Sequence, residues 1–342
     1  MLNPRVTEQD PRSRFHKIFG YALPWVSLAI GIAGAIFMDR GPGHGRIVAG
    51  AAIGCWLTLL IVLWLRAKAE ASGRFLWRGA HFTTLLVTQS AIHLSLFFAV
   101  PFYWKAWGGT VEQAVFIGAV SLAALVSLWD PLTERLLHHP MWSPLMPSFA
   151  TFSALNAVLP GIGLSNSQSL WVAAGCTAAA LPIGVVLQPA PADAADRKKE
   201  RRRIVIGSLV TALIVPAGLW AGGARMVPAA PLALTDAAIG THQRGRWIDE
   251  PVEHLERKPS VLICATAIWA PLGVQESLYH VWRQDGVERD RIELEIEGGR
   301  EDGYRTWSRK RNFGNDPSGT WTCSVETGLG QLLGTRAVVI DP

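Results

Sequence analysis

The densest run of chemistry-bearing side chains is Tyr304-Arg-Thr-Trp-Ser-Arg-Lys310, preceded by Tyr279-His-Val-Trp-Arg283. Side chains alternate along an extended strand, so Tyr304, Thr306, Ser308 and Lys310 share one face and Arg305, Trp307 and Arg309 the other. A face of guanidinium, indole and guanidinium suits a sugar ring, an anionic glycan or a partner protein. His280, Trp282, Arg305, Trp307, Arg309 and Lys310 are therefore the candidate partner-binding residues. The competing reading is structural, with Arg side chains lying over rings and pairing with neighbouring Glu on a sheet.

A second constellation is Asp130, Glu134 and His138, which recur at i, i+4 and i+8 and so share one helical face, with His139 adjacent and His81 elsewhere in the chain. Two carboxylates and an imidazole are plausible metal ligands or acid/base groups; the plainer alternative is an interfacial helix in which Glu134 pairs with Arg135 or a nearby basic loop. Gln89 and His93 lie one turn apart and would face another helix, such as the one carrying Asn156. An interhelical polar contact is the simpler role for these three, and a proton or substrate path the sharper one. The chain has no phosphate loop, no His-Glu-x-x-His, no Cys-x-x-Cys and no Gly-x-Ser-x-Gly elbow. No cofactor is expected, and a metal only if the Asp130 cluster is used.

The elements that must position these residues follow from composition. Hydrophobic residues make up 49% of the chain and charged ones 17%, with 15 Trp. Seven apolar stretches read as membrane spans: Phe19–Met38, Ile47–Leu65, Phe82–Val100, Thr110–Trp129, Leu145–Ile162, Leu170–Leu187 and Ile204–Trp220. The expected fold is thus an α-helical membrane bundle of about seven transmembrane helices followed by a small all-β, sandwich-like soluble domain. Its parts are a tail over 1–18, a six-helix bundle over 19–187, an unstructured basic linker over 188–203, a seventh helix over 204–222 and a β-domain over 223–342. Gly50 and Gly54 form a small-x-x-x-small pair for close helix packing.

Charge sets the expected orientation. Residues 1–220 carry 18 Lys/Arg against 10 Asp/Glu, and residues 221–342 carry 14 against 17, so the pI of 9.2 belongs to the helical half and need not signal nucleic acid. With the N-terminus in the cytoplasm, 15 basic residues of the tail and short loops fall inside and only Arg40, Arg46 and Lys105 outside. That places the chain in a bacterial inner membrane with its C-terminal domain in the periplasm. The run Arg197–Arg203 is a topology anchor that could also meet anionic lipid headgroups. Cys264 and Cys323 fall in expected strands, where an oxidising compartment would permit a disulfide, although the sequence alone does not show that they meet.

Beyond Gly222 the period changes to two. Strands are expected over Leu232–Thr241, Val261–Trp269, Leu278–Arg283, Arg291–Glu297, Tyr304–Lys310, Gly319–Glu326 and Leu332–Ile340, with Ile292, Leu294, Ile296, Trp321, Cys323 and Val325 facing a core. The order His280-x-Trp282, Tyr304-Arg-Thr-Trp-Ser-Arg-Lys310, Gly319-x-Trp321 and Gly328-x-Gly330-x-Leu332 resembles a bacterial domain of unknown function at the C-terminus of envelope and membrane proteins, over roughly residues 255–340. The whole chain resembles uncharacterised bacterial inner-membrane proteins that carry such a module. The resemblance implies a discrete β-rich module on a membrane anchor and supplies no activity or ligand. The expected function is a non-enzymatic envelope protein whose periplasmic β-domain binds a protein or glycan partner as a scaffold or complex subunit. The alternative is a membrane-embedded enzyme or transporter centred on Asp130, Glu134, His138 and His81.

Overall fold

The computed structural model describes residues 29, 57, 77–129, 132, 133, 135, 136, 142–186, 194–271, 274, 276–314 and 316–342. Five α-helices are bounded among them: α1 Trp77–Lys105, α2 Val111–Ser127, α3 Trp142–Val158, α4 Asn166–Val186 and α5 Ala194–Trp220. Among the described residues, only Leu145–Ile162 is a helical stretch long and apolar enough to cross a membrane, and 72% of it is buried inside the protein. The seven-helix membrane bundle expected from the sequence is corrected on that finding. The reason is length and polarity: α2 has 17 residues, the apolar part of α5 is only Val205–Trp220, and Thr83, Thr84, Thr88, Gln89 and His93 dilute α1, whereas a bilayer core needs about 20 apolar residues. The stretches Phe19–Met38 and Ile47–Leu65 lie outside the described residues apart from 29 and 57, both helical. The basic run 197–203 is not an unstructured linker either; it is helical and lies in the N-terminal part of α5.

The apolar runs pack the helices on one another. Leu96, Phe102 and Tyr103 of α1, Ile117 and Val120 of α2, Phe152 and Leu155 of α3 and Leu170 of α4 share one core. Phe116 meets Tyr103, Phe149 and Phe152 edge-on, with centroids 5.0, 6.0 and 6.3 Å away, the arrangement that ring quadrupoles favour. Thr110 caps α2 by accepting from the Gln113 N–H at 3.2 Å. Polar contacts do join these helices, but His93 and Asn156 meet different partners. His93 Nδ1 lies 2.8 Å from Ser127 Oγ, and Asn156 Nδ2 donates to the Tyr103 hydroxyl at 3.1 Å. Since Ser127 spends its proton on Ala124 O, it accepts from His93. The Gln89 side chain lies outside the described residues.

Residues 233–340 form a two-layer β-structure. Strands β1 Ala233–Gly240, β5 Leu262–Trp269 and β8 Tyr304–Lys310 make one sheet in the order β1-β5-β8. The other runs β4-β10-β9-β6-β7, from β4 His254–Leu255, β6 Leu278–Gln284, β7 Val287–Leu294, β9 Gly319–Thr327 and β10 Leu332–Ile340. A hairpin of β2 Gln243–Arg244 and β3 Trp247–Ile248 lies against the first sheet. Period-two patterning locates the seven long strands to within a few residues of their observed ends. Only Arg291–Glu297 is shifted, because β7 begins at Val287, straight after the Asp285-Gly286 turn. Leu262, Cys264, Trp282, Trp321, Cys323 and Ile340, drawn from both sheets, fill the space between the layers.

This β-structure is seated on one end of the helices. Lys105, the last residue of α1, places Nζ 3.3 Å from the centre of the Trp269 ring. The Gln113 side chain accepts from the Gly108 N–H at 2.8 Å and donates to Leu332 O at 2.9 Å. Asn166 donates to Gln331, which donates to Val227 O at 2.8 Å. Glu276 accepts from the Ser167 hydroxyl at 2.9 Å and from the Ser167 N–H at 3.3 Å, at the positive end of α4. Burial raises the Glu276 carboxyl above its usual range, and these donors oppose the rise. A Cβ on Gly108 would sit 2.1 Å from Leu332 O, so the junction admits only glycine there. Gly108→Val is expected to part the α1–α2 turn from β10 and to cost roughly 1–3 kcal/mol through the stranded Gln113. Faster hydrogen exchange around Leu332, with a lowered melting temperature, checks it.

Candidate functional site

Strand β8 is the hinge of the candidate site because its two faces do different work. It pairs with β5 in the register Cys264↔Ser308 and Thr266↔Thr306, which turns Ser308 and Lys310 inward and Arg305, Trp307 and Arg309 out.

The inner face is a closed polar network. Cys264 of one sheet and Cys323 of the other are joined as a disulfide. Trp282 stands opposite Cys323 in the β6–β9 register and is fully buried beside the bridge. His280 Nε2 is 2.9 Å from Thr266 Oγ1, His280 Nδ1 is 2.8 Å from Ser308 Oγ, and the Trp282 indole donates to Ser308 Oγ at 3.1 Å. An indole N–H can only donate, so Ser308 accepts from Trp282, and each ring nitrogen of His280 is matched to a hydroxyl, Nδ1 to Ser308 and Nε2 to Thr266. Burial pushes the His280 imidazole down to about 3, so it is neutral. Cys264, His280 and Cys323 bring their ligand atoms within 4.8 Å of one another, metal-site spacing. Yet both sulfurs are spent on each other and both ring nitrogens on hydroxyls, so the cluster is a cross-link beside a neutral imidazole.

The outer face is open and cationic. Arg309 lies 4.5 Å from the centre of the Trp307 ring and donates to Gln243 at 3.1 Å. Arg305 lies 5.3 Å from Trp247 of the β3 hairpin strand, and Arg246 and Arg300 flank Tyr304 at 5.5 and 4.7 Å. Trp307 remains 38% exposed. Among the described residues no carboxylate lies within 4.0 Å of Arg244, Arg246, Arg305, Arg309 or Arg311. The opposite sheet behaves differently: Arg283 and Arg291 both reach the buried Glu326, at 2.6 and 3.3 Å. The guanidinium groups of Arg246, Arg305 and Arg309 are thus stacked on rings without being neutralised, whereas Arg300 also pairs with Glu297 at 3.3 Å.

Of the six candidate partner-binding residues, Arg305, Trp307 and Arg309 are at the surface. His280, Trp282 and Lys310 are buried and belong to the interior; Lys310 forms an ion pair with Asp290 and approaches Trp321 to 5.7 Å. A His-x-Trp pair on a strand looks like a binding motif, but alternation alone does not say which sheet face meets water. Trp247 and Arg246, absent from the sequence-based set, come from the short β2–β3 hairpin, whose two-residue strands leave no periodic signal, and Arg300 comes from the loop between β7 and β8. Asp130, Glu134 and His138 lie outside the described residues, as does the side chain of His81.

A model described as a family of unknown function (DUF5924) matches residues 8–258, most of the chain. The chain belongs to that family. A second model, described as a protein of unknown function (DUF2914), matches residues 275–340. No curated protein and no solved structure matches. In this DUF5924 chain the β-structure crosses the boundary between the two matched regions. Strands β1 to β4 fall in the first and β6 to β10 in the second, while β5, which pairs with both β1 and β8, falls in neither.

Two outcomes are expected of the inner face. An imidazole at about 3 when folded and 6.5 when unfolded takes its proton first in the unfolded chain. The stability it supplies is complete above pH 6.5 and is lost as pH falls toward 3, by about 1.4 kcal/mol per unit. His280→Gln should flatten this part of the denaturation profile, and an unchanged profile would show that another group sets it. The bridge closes a loop with a sequence separation of 59, so Cys264→Ser with Cys323→Ser should cost roughly 2–5 kcal/mol, read by the same unfolding experiment with and without a dithiol reductant.

Proposed function

We propose that this chain is a non-enzymatic envelope protein, held at a bacterial inner membrane through its helices and presenting the β-structure to an anionic glycan on the periplasmic side. The single observation that carries the reading is the β8 face, where the guanidinium groups of Arg305 and Arg309 are stacked on Trp247 and Trp307 and lack carboxylate partners among the described residues. A folded protein ordinarily pairs such charges or spreads them apart. Stacking holds the cations in place while leaving their charge for a ligand, and the rings offer flat apolar surface for sugar rings.

Membrane attachment is supported by the outward faces of α2 and α5. Val111, Leu122, Leu125, Leu213 and Trp220 are exposed, Leu213 by 74% and Trp220 by 83%. Patches of this kind on successive turns call for an apolar neighbour, and lipid is the one proposed. The disulfide fits an oxidising compartment such as the periplasm.

The test is titration of the detergent-solubilised full chain with a polyuronate, with polyglutamate as the second arm. Wild type should bind the polyuronate more tightly than polyglutamate, with affinity falling as salt rises. Arg305→Ala with Trp307→Ala and Arg309→Ala should weaken binding at least tenfold while leaving the melting temperature unchanged. Undiminished binding by that well-folded triple variant would remove this surface from the reading, and a preference for polyglutamate would move it to an acidic protein.

A further inference from the structure

The two sheets leave a groove of about 650 Å³ between the edge strands β1 and β10, lined in part by Asp236, Ala237, Glu253, Thr335, Arg336 and Trp247, the last of which also carries Arg305 of the β8 face. Its two walls differ in what their backbones offer. On β1 the outward groups are already used. Ala237 O accepts from Arg336 Nε at 2.8 Å, the Ala237 N–H is held by the Asp236 carboxylate at 2.8 Å, and Ile239 O accepts from the Val252 N–H at 2.8 Å.

On β10 the outward edge is only half filled. The two-residue strand β4 runs parallel to it at Val339 and Ile340, and the Val339 N–H reaches Glu253 O at 3.0 Å. Alternation of an antiparallel pair puts the backbone groups of Thr335 and Ala337 on that same outward side, where they have no backbone partner among the described residues. The strand slot that β4 occupies at one end is therefore open beside Thr335–Ala337. Thr335, Arg336 and Ala337 are all exposed.

We infer that this slot takes an extended, basic peptide segment of a partner protein, added to the sheet along β10. Free N–H and C=O groups on an edge strand recognise another strand. The carboxylates of Asp236 and Glu253 stand at the groove, both exposed. Against them stands one cation, Arg336, whose guanidinium already donates to Ala237 O. The balance favours lysine or arginine on the face of the incoming strand that looks toward β1. Small walls at Ala237 and Ala337 leave room for its backbone. The groove also depends on both matched regions, since Asp236 to Glu253 come from the first and Thr335 to Val339 from the second.

The experiment uses the full chain and a fluorescently labelled heptapeptide of alternating valine and lysine, read by anisotropy. Saturable binding is expected, with at least a tenfold loss for the same peptide methylated on its backbone amides, which keeps its charge but cannot pair. Ala337→Pro, which removes an outward N–H, and Asp236→Asn with Glu253→Gln should each weaken binding by a similar factor. Trp307→Ala with Arg309→Ala, neither of which lines the groove, should bind the peptide as wild type while losing the polyuronate, so failure here and failure of the glycan reading are separable. Equal affinity for the methylated peptide, or no saturable binding, overturns the inference. So does concentration-dependent dimerisation abolished by Ala337→Pro, which would put a second copy in the slot.

Discussion

The bond between Cys264 and Cys323 fixes which side of every neighbouring strand is interior. It ties β5 of one sheet to β9 of the other, and the alternation of β-structure propagates that choice along each strand. Ser308, opposite Cys264 on β8, must then point in, so Arg305, Trp307 and Arg309 must point out. Trp282, opposite Cys323, must also point in, and its indole N–H needs an acceptor. Ser308 is that acceptor, and the hydroxyl that serves Trp282 is the one that holds His280. A register slip of one residue at β8 would bury guanidinium groups against the disulfide and leave the indole and imidazole unpaired. The polar interior is thus the condition on which the exposed cationic face depends.

Seating of the β-structure on the helices rests on a different kind of contact. The helical core is apolar and the β-core is apolar, yet the junction between them is made largely of amides, a carboxylate and a hydroxyl: Gln113, Asn166, Gln331, Glu276 and Ser167. Directional bonds of this sort fix an orientation where apolar contact alone would allow sliding. They gather at the α1–α2 turn, the start of α4 and the segment after α5, all at one end of the helices. A β-structure merely tethered by a flexible linker would need none of them, so the β8 face is held at a set orientation to the helical part.

Legibility from sequence varied with how much a local pattern could carry. Tyr304–Lys310 and Leu332–Ile340 were readable to the residue because alternation over seven or nine positions is a strong signal. Parity separates Arg305, Trp307 and Arg309 from Ser308 and Lys310 but does not say which face meets water, and Lys310, expected at the binding surface, is buried. His280 and Trp282 were misjudged because residue type suggested a ligand surface, whereas their burial is decided by a bridge to a strand 59 residues away from its partner. The helices failed for a related reason. Mean apolarity over a window cannot separate a stretch that meets lipid from one that meets other helices, and Leu145–Ile162 is mostly of the second kind. Trp247 and Glu253 were invisible because each sits in a two-residue strand or a loop, where no period exists to be read.

The division into two matched regions has a physical consequence for function. A segment holding only residues 275–340 would have β6 to β10 but neither β1 nor β5. It would lack Cys264, so Cys323 would be unbridged, and the inner faces of β8 and β9 would have no opposing sheet. Neither the orientation of the Arg–Trp–Arg face nor the groove beside β10 would then be defined. Both surfaces need β1, β5 and the 243–253 hairpin and loop, and all but β5 come from the region that also contains the helices. The helical half therefore contributes strands as well as a base, and the binding surfaces belong to the joined chain and not to its C-terminal region alone.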